Sequence, residues 1–368
     1  MTRFLLIFVL TYSSALAASD LPLDTITLPD GFKIEVFVDD IENARQMALG
    51  DEGMLFVGSR RTGKVYGVTG GGLAGVDSRM AKQVTVIDSG LTMPSGIAFY
   101  KGDLYVADIS KILKYEAIEK NWPRIPEPTV VFDELPDDVH HGWKYLKFDS
   151  QGHLIIPIGA PCNICDAGER YSKIMSLDLT NNTTTDLALG VRNSVGFDFH
   201  PVTGQLWFTD NGRDHMGDDI PDCELNQLSK PGQHFGYPFY HAGDVKDPEF
   251  GKGREASEFV APKVKLGAHV APLGMTFYRS EHFPKQYQHS IFIAEHGSWN
   301  RSSKVGYRVR NVVLEGDKVV SVDEFASGWL QGEEAWGRPA DIMQMPDGAL
   351  LVSDDAAGVI YRIFYQGK

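Results

Sequence analysis

One unit recurs along this chain: an apolar alternating strand, a polar turn carrying glycine, then a second apolar strand. The clearest copies run from Gln46 to Ser59, Pro94 to Asp108, Tyr145 to Gly159 and Val195 to Asp210. A fifth, Leu273 to Gly297, has a longer turn, and Ala340 to Asp355 closes a series of six. The turn glycines Gly53, Gly102, Gly152 and Gly204 recur at about 50 residues, the range expected of propeller blades. Insertions lengthen the units that follow Gly204.

Further strand-like runs follow each copy. KVYGVT and QVTVIDS follow the first, ILKYEAI and TVVFDEL the second, IMSLDL and TTTDLAL the third, YRVRNVVLE and VVSVDEF the fifth. Four strands per unit is the content of a propeller blade. The sixth unit has only VIYRIFY after it, so it lacks a fourth strand. FKIEVFV, Phe32 to Val38, precedes the first copy and can supply it. Such an exchange closes the ring and removes two free sheet edges. The sequence thus predicts one all-β domain over residues 18–368: a six-bladed β-propeller of four-stranded antiparallel blades, with the N-terminal strand joining the C-terminal blade. A sandwich or a barrel would not require the regular period.

The first 17 residues stand outside that pattern. Arg3 is a charged start, Phe4 to Leu10 an apolar stretch too short to span a bilayer, and Ala15-Leu16-Ala17 a small-residue cleavage site. They predict a signal peptide, a mature chain beginning at Ala18, and a periplasmic or secreted location. No other segment is long and apolar enough for a membrane helix. The net charge of −14 repels phosphate backbones and argues against nucleic acid as a partner. Cys162 and Cys165 form CNIC, followed by Asp166 rather than the histidine of covalent haem attachment. In an exported protein a disulfide is expected. Cys162 with Cys165 makes the shortest loop, and Cys223 can compete.

In a blade, the loop entering the first strand and the loop joining the second and third lie on one face. The unusual polar residues fall in those loops. His140-His141, Arg192-Asn193, His269 and Arg338 enter first strands. CNICD, DNGRD (210–214) and EHGSWNR (295–301) join second strands to third. Their convergence near the axis is the main functional signal, because loops on a rigid scaffold are where sites are built. A buried imidazole beside a guanidinium stays neutral and can act as a general base. Arginines suit an anionic cofactor or a developing negative charge. Carbonyls of a DNG turn suit Ca²⁺, a hard cation. No GxSxG nucleophile, no zinc-type cluster and no GxGxxG opening a helix is present.

RNSVGFDFHP…GQLWFTDNGRDHMGDDIPDCELNQL, HGSWNRS…GYRV and GRPADI…PDGALLVSDD resemble the soluble PQQ-dependent sugar dehydrogenases, especially their sorbosone dehydrogenase-like branch. The resemblance covers nearly the whole mature chain. It implies a quinoprotein that oxidises an aldose at C1, or a related aldehyde, by hydride transfer to PQQ. Electrons would then pass to an external acceptor, a quinone or a cytochrome. It assigns the base to His141, the quinone-contacting pair to Arg192 and Asn193, and a cofactor-carboxylate contact to Arg338. It places a calcium on the carbonyls of Gly212 and Arg213, with Gly212 also at the cofactor. A further cation is implied at Arg301 or Lys304, and a second calcium near Glu224. This chain departs from the pattern at His140, where an acid is usual, in its HGSWNR loop, and at Cys223.

Two other readings use the same residues differently. A calcium-dependent hydrolase, such as a lactonase, would share the central ion and the base but have no use for Arg338 or Arg301. A non-catalytic carbohydrate-binding propeller would explain Trp143, Trp299 and Trp336 but not a buried Arg-Asn pair.

Overall fold

The structure, a computed structural model, describes residues 20–71 and 82–367. The signal-peptide expectation therefore lies outside the described residues. Six antiparallel sheets follow one another around an axis. Blade 1 is Ala44–Leu49, Leu55–Ser59, Val65–Thr69 and Gln83–Asp88. Blade 2 is Ile97–Tyr100, Asp103–Asp108, Lys111–Tyr115 and Thr129–Phe132. Blade 3 is Lys147–Phe148, Leu154–Ile158, Lys173–Asp178 and Thr183–Leu189. Blade 4 is Phe197–Phe199, Leu206–Asp210, Asp222–Gln227 and Val264–Ala268. Blade 5 is Pro272–Phe277, Ile291–Glu295, Arg308–Glu315 and Lys318–Ala326. Blade 6 holds Pro339–Gln344, Leu350–Asp354 and Val359–Tyr365. Its fourth strand is Phe32–Val38, antiparallel to Val359–Tyr365 from Phe32 opposite Tyr365 to Val38 opposite Ile360.

The two-residue period of each second strand explains how the blades stack. Leu55 and Val57 pack into the apolar cluster shared with blade 6, while Phe56 between them packs toward blade 2. Leu154, Ile156 and Ile158 face blade 2, and Ile155 faces blade 4. Ile291 and Ile293 face blade 4, and Phe292 and Ala294 face blade 6. Each strand is covered on both faces, so alternation becomes a continuous apolar run. Each large side chain so buried is worth roughly 1.5–3 kcal/mol.

The innermost strands splay around the axis and cannot form a ladder with each other. Buried polar side chains bridge them instead. Gln46 of blade 1 accepts from the N–H of Ile97 in blade 2 and of Leu146 at blade 3, both at 2.9 Å. Its amide donates to the Leu146 carbonyl at 2.6 Å. Asp198 of blade 4 takes the N–H of Phe277 at 2.9 Å, Arg279 at 2.7 Å, and the ammonium of Lys147. Burial alone would raise its pKa, but Lys147 and Arg279 hold it down at about 2. Asp341 of blade 6 accepts from Met47 N at 2.8 Å and from the Tyr145 hydroxyl at 3.2 Å.

The blade 4 insertion carries a two-stranded ribbon, Tyr240–His241 with Val245–Lys246. Its segment Gln233–His234 pairs parallel to Thr183–Leu189 and covers the outer edge of blade 3.

Asp341 lacks a cationic partner, and burial pushes its pKa up to about 7. Between pH 4 and 7 the folded carboxyl keeps its proton while the unfolded one has lost it, so stability falls as pH rises. The three-unit rise corresponds to a loss on the order of 4 kcal/mol across that window. Asp341→Asn, which can still accept from Met47 N, should flatten this part of the stability profile in denaturant titrations. An unchanged slope would exclude Asp341 as its source.

Candidate active site

At one end of the axis the entry loops and the second-to-third-strand loops enclose a funnel of about 590 Å³. His141, Arg192, Asn193, Gly212, His269 and Arg338 all line it. His141 is buried, with its backbone at φ +52. A side chain on Gly159 would come within 2.6 Å of the His141 Cβ, so glycine is what lets the two loops meet. The Ala160 carbonyl lies 2.8 Å from His141 Nδ1. A carbonyl only accepts, so Nδ1 carries the proton and Nε2 holds the lone pair. Burial lowers the pKa of His141 well below the usual value, and Arg192 and His140 lower it further.

Arg192 is fixed from three sides. Its backbone N–H and that of Asn193 donate to the Asp210 carboxylate at 2.8 and 2.6 Å. Its guanidinium donates to the carbonyl and side-chain oxygens of Asn163, each at 2.9 Å, and to the Asn211 carbonyl at 3.1 Å. Asn163 also takes Asp214 N at 2.8 Å and gives its amide to Asp214 O at 3.0 Å. A Cys162–Cys165 disulfide brackets Asn163, and Cys223 is free and buried. The CNIC loop thus holds the arginine through the asparagine between its cysteines. His269 bonds the Gly217 carbonyl at 2.8 Å and anchors the blade 4 loop.

The opposite wall carries more arginine than the sequence reading assigned. Arg338 donates to the carbonyls of His296 and Gly297 at 3.0 and 2.8 Å. Arg45 pairs with Asp355 at 2.6 Å, and His296 Nε2 lies 2.7 Å from the same carboxylate. Burial lowers His296 to about 4, so a neutral His296 donates there. Arg60 lies 3.6 Å over the Trp143 ring, its pKa lowered to about 10 by burial and by Arg45. Arg60 Nε and Trp143 Nε1 are buried without partners.

Arg301 and Lys304 are not on the funnel wall. Arg301 bonds Asp218 O and Asp219, each at 3.1 Å, and faces a side pocket. The backbone N–H of Lys304 donates to Glu333 at 3.0 Å and its ammonium to the Glu333 carbonyl. The HGSWNR loop lines the funnel with His296, Gly297 and Trp299 but turns Arg301 outward onto Asp218 and Asp219, while Arg45 and Arg60 stand on the funnel wall. Both come from blade 1, at a first strand and a second-to-third-strand loop, the positions that marked the other blades. That positional rule, applied to blade 1, would have found them.

Glu224 lies behind Gly212, across a space of about 10 Å³ from Asp210. It accepts from Asn226 at 2.8 Å and from Ala242 N at 2.7 Å. Burial and then Asp210 push its pKa up to about 8. Among the described residues, no three His, Cys, Asp or Glu side chains converge as a metal site.

Fold and funnel together define a propeller with arginines fixed around a buried, neutral imidazole. Residues 106–362 match the Glucose / Sorbosone dehydrogenase family. The chain belongs to that family. It is 35 % identical to an uncharacterized protein of Borreliella burgdorferi, over 96 % of this chain and 94 % of the relative. A calcium structure of a Trichoderma reesei enzyme of carbohydrate-active family AA12 superposes with a TM-score of 0.80 at 19 % identity, covering 96 % of this chain and 100 % of that one. The PQQ-bound aldose sugar dehydrogenase of Streptomyces coelicolor gives 0.63 at 18 % identity, over 92 % and 99 %.

Replacing Arg192 by leucine removes the largest charge acting on His141. The pKa of His141 should rise toward the ordinary histidine value, as followed by NMR titration of its ring signals. No upward movement would mean that burial alone keeps it neutral.

Proposed function

We propose that this protein is a PQQ-dependent aldose dehydrogenase that works outside the cytoplasm and oxidises C1 of a sugar, or a related aldehyde. The observation that carries this reading is the His141 imidazole. It is neutral, its tautomer is set by the Ala160 carbonyl, and it stands in a funnel of arginines.

The funnel suits PQQ, a flat tricarboxylate. Five arginines, Arg45, Arg60, Arg61, Arg192 and Arg338, line it with one carboxylate, Asp214, while Asp355 pairs with Arg45 from behind. The hydrogen bonds of the Arg338 guanidinium go to carbonyls, which leave its charge available to a carboxylate. Arg60 and Trp143 add buried donors that lack partners. Asn193, held on Asp210, and Gly212 complete the contacts on the blade 4 side. A calcium ion suits the carbonyls of Gly212 and Arg213, and a second suits the carboxylate pair of Glu224 and Asp210. When bound, PQQ supplies the acceptor for a hydride from C1, and calcium a Lewis acid beside it.

The residues of this chain do the remainder. His141 Nε2 takes the proton of the C1 hydroxyl as the C1–H bond breaks, and the sugar leaves as its lactone. Arg192, immobilised by Asn163, holds fixed positive charge where negative charge develops. The electrons then leave to a separate acceptor, a quinone or a cytochrome. Among the described residues no helix is long and apolar enough to cross a membrane.

The test is reconstitution of the purified protein with PQQ and Ca²⁺, following dye reduction with a panel of aldoses and aldehydes. Reduction that requires both additions supports the reading, and failure to bind PQQ overturns it. His141→Gln should abolish turnover and retain PQQ, measured by its absorbance on the protein. Because His141 stays neutral well below pH 6.5, the acid limb of kcat/KM should lie below that pH. Half-loss at pH 6.5 or above would remove His141 from the role of base.

A further inference from the structure

Beside the funnel lies a second pocket, of about 310 Å³, between the blade 4 loop at His215 to Asp218 and the blade 5 loop at Trp299 to Ser302. Its size is at the lower end of small-molecule sites. Trp299 is the shared wall, lining both the funnel and this pocket. Its side chain is 69 % exposed, although its ring is set edge-on against His215 at 5.8 Å. A large indole left open between two cavities marks a contact surface.

The rest of the pocket is polar and already ordered. Arg301 donates to Asp218 O at 3.1 Å and Ser303 O at 2.8 Å, and pairs with Asp219. Ser302 N donates to the Asp218 carboxylate at 3.0 Å, and its hydroxyl bonds the same group. These contacts tie the blade 4 loop to the blade 5 loop before any ligand arrives, so little ordering remains for binding. The side-chain nitrogen of Asn300 is buried without a partner. Turning it toward an incoming hydroxyl breaks no bond of that nitrogen. An apolar aromatic face flanked by carboxylate, amide and hydroxyl matches a pyranose ring, whose C–H face is apolar and whose rim is hydroxyl.

We propose that this pocket takes the second sugar ring of an oligosaccharide whose reducing end occupies the funnel. The substrate class is then a reducing oligosaccharide rather than a free monosaccharide. This rests on the aldose reading of the funnel, while the pocket itself can be tested without turnover.

Two measurements decide it. In the PQQ- and calcium-loaded enzyme, kcat/KM for cellobiose, maltose and lactose is compared with that for glucose and galactose. At least one disaccharide should exceed its monosaccharide, and Trp299→Ala or Asn300→Ala should lower that ratio about tenfold, the loss expected of one good contact. In the protein without cofactor, calorimetry with cellobiitol and maltitol, which have no hemiacetal C1, should show tighter binding than glucitol. The same variants, checked for unchanged melting temperature, should erase the difference. The proposal is overturned if glucose is oxidised as well as every disaccharide and the alditols bind alike. It is also overturned if the variants change only the KM for the dye, which would make Trp299 an acceptor contact. If no aldose is oxidised, the dehydrogenase reading fails, and the alditol binding still decides the pocket.

Discussion

The ring depends on how its innermost strands are held to one another. Sheets set around an axis cannot share a backbone ladder, and apolar packing between blades does not by itself fix register at the centre. Gln46, Asp198 and Asp341 do this with side chains. Each reaches backbone N–H groups of another blade, and each is buried. A buried polar group is tolerated only when satisfied, so each latch specifies one arrangement of its neighbours. Asp198 is held ionised by two cations, whereas Asp341 has only hydrogen bonds and sits near neutrality in its titration. The two carboxylates therefore do similar structural work in opposite electrostatic conditions.

The same contrast shapes the funnel. The chain carries a net charge of −14, yet its axial cavity is lined by arginines. Two of these are fixed by acids behind them, Arg45 by Asp355 and the Arg192 backbone by Asp210. Arg338 is aimed by carbonyls. Carbonyl partners orient a guanidinium without cancelling its charge, which leaves it available for an anion. The acidic exterior and the cationic interior together favour a small anion that can enter over a large polyanion that cannot.

How much of this was legible in the sequence depended on which signal carried it. Repeated alternation with turn glycines located the first and second strands of each blade, because those strands are covered on both faces. The third strand of blade 4, Asp222–Gln227, gave no such pattern: Glu224, Asn226 and Gln227 are buried there as polar groups, Glu224 accepting from Ala242 N and Asn226, and Gln227 donating to Gln205. Loop position sufficed to bring His141, Arg192, Asn193, Gly212 and Arg338 together. It could not show Asn163 as the residue that orients Arg192, since that depends on the path of a disulfide-bracketed loop. Nor could it show that Arg301 points away, which follows from carboxylates at Asp218 and Asp219 that capture it. Loops of the same blade position share a face, but the direction of a long side chain is decided by its partners.

The strand Phe32–Val38 is among the first parts of the domain to be made and has no sheet to join until Val359–Tyr365 exists. The ring is therefore clasped like a bracelet, by a pin at one end and a socket at the other. Blades 1 to 5 can form locally before that, but blade 6, and with it the meeting of blade 1 and blade 6, waits for Val359–Tyr365. Arg45 and Asp355 face each other across this seam. An assembled funnel is in that sense a report that the chain has been made from Phe32–Val38 through to Val359–Tyr365.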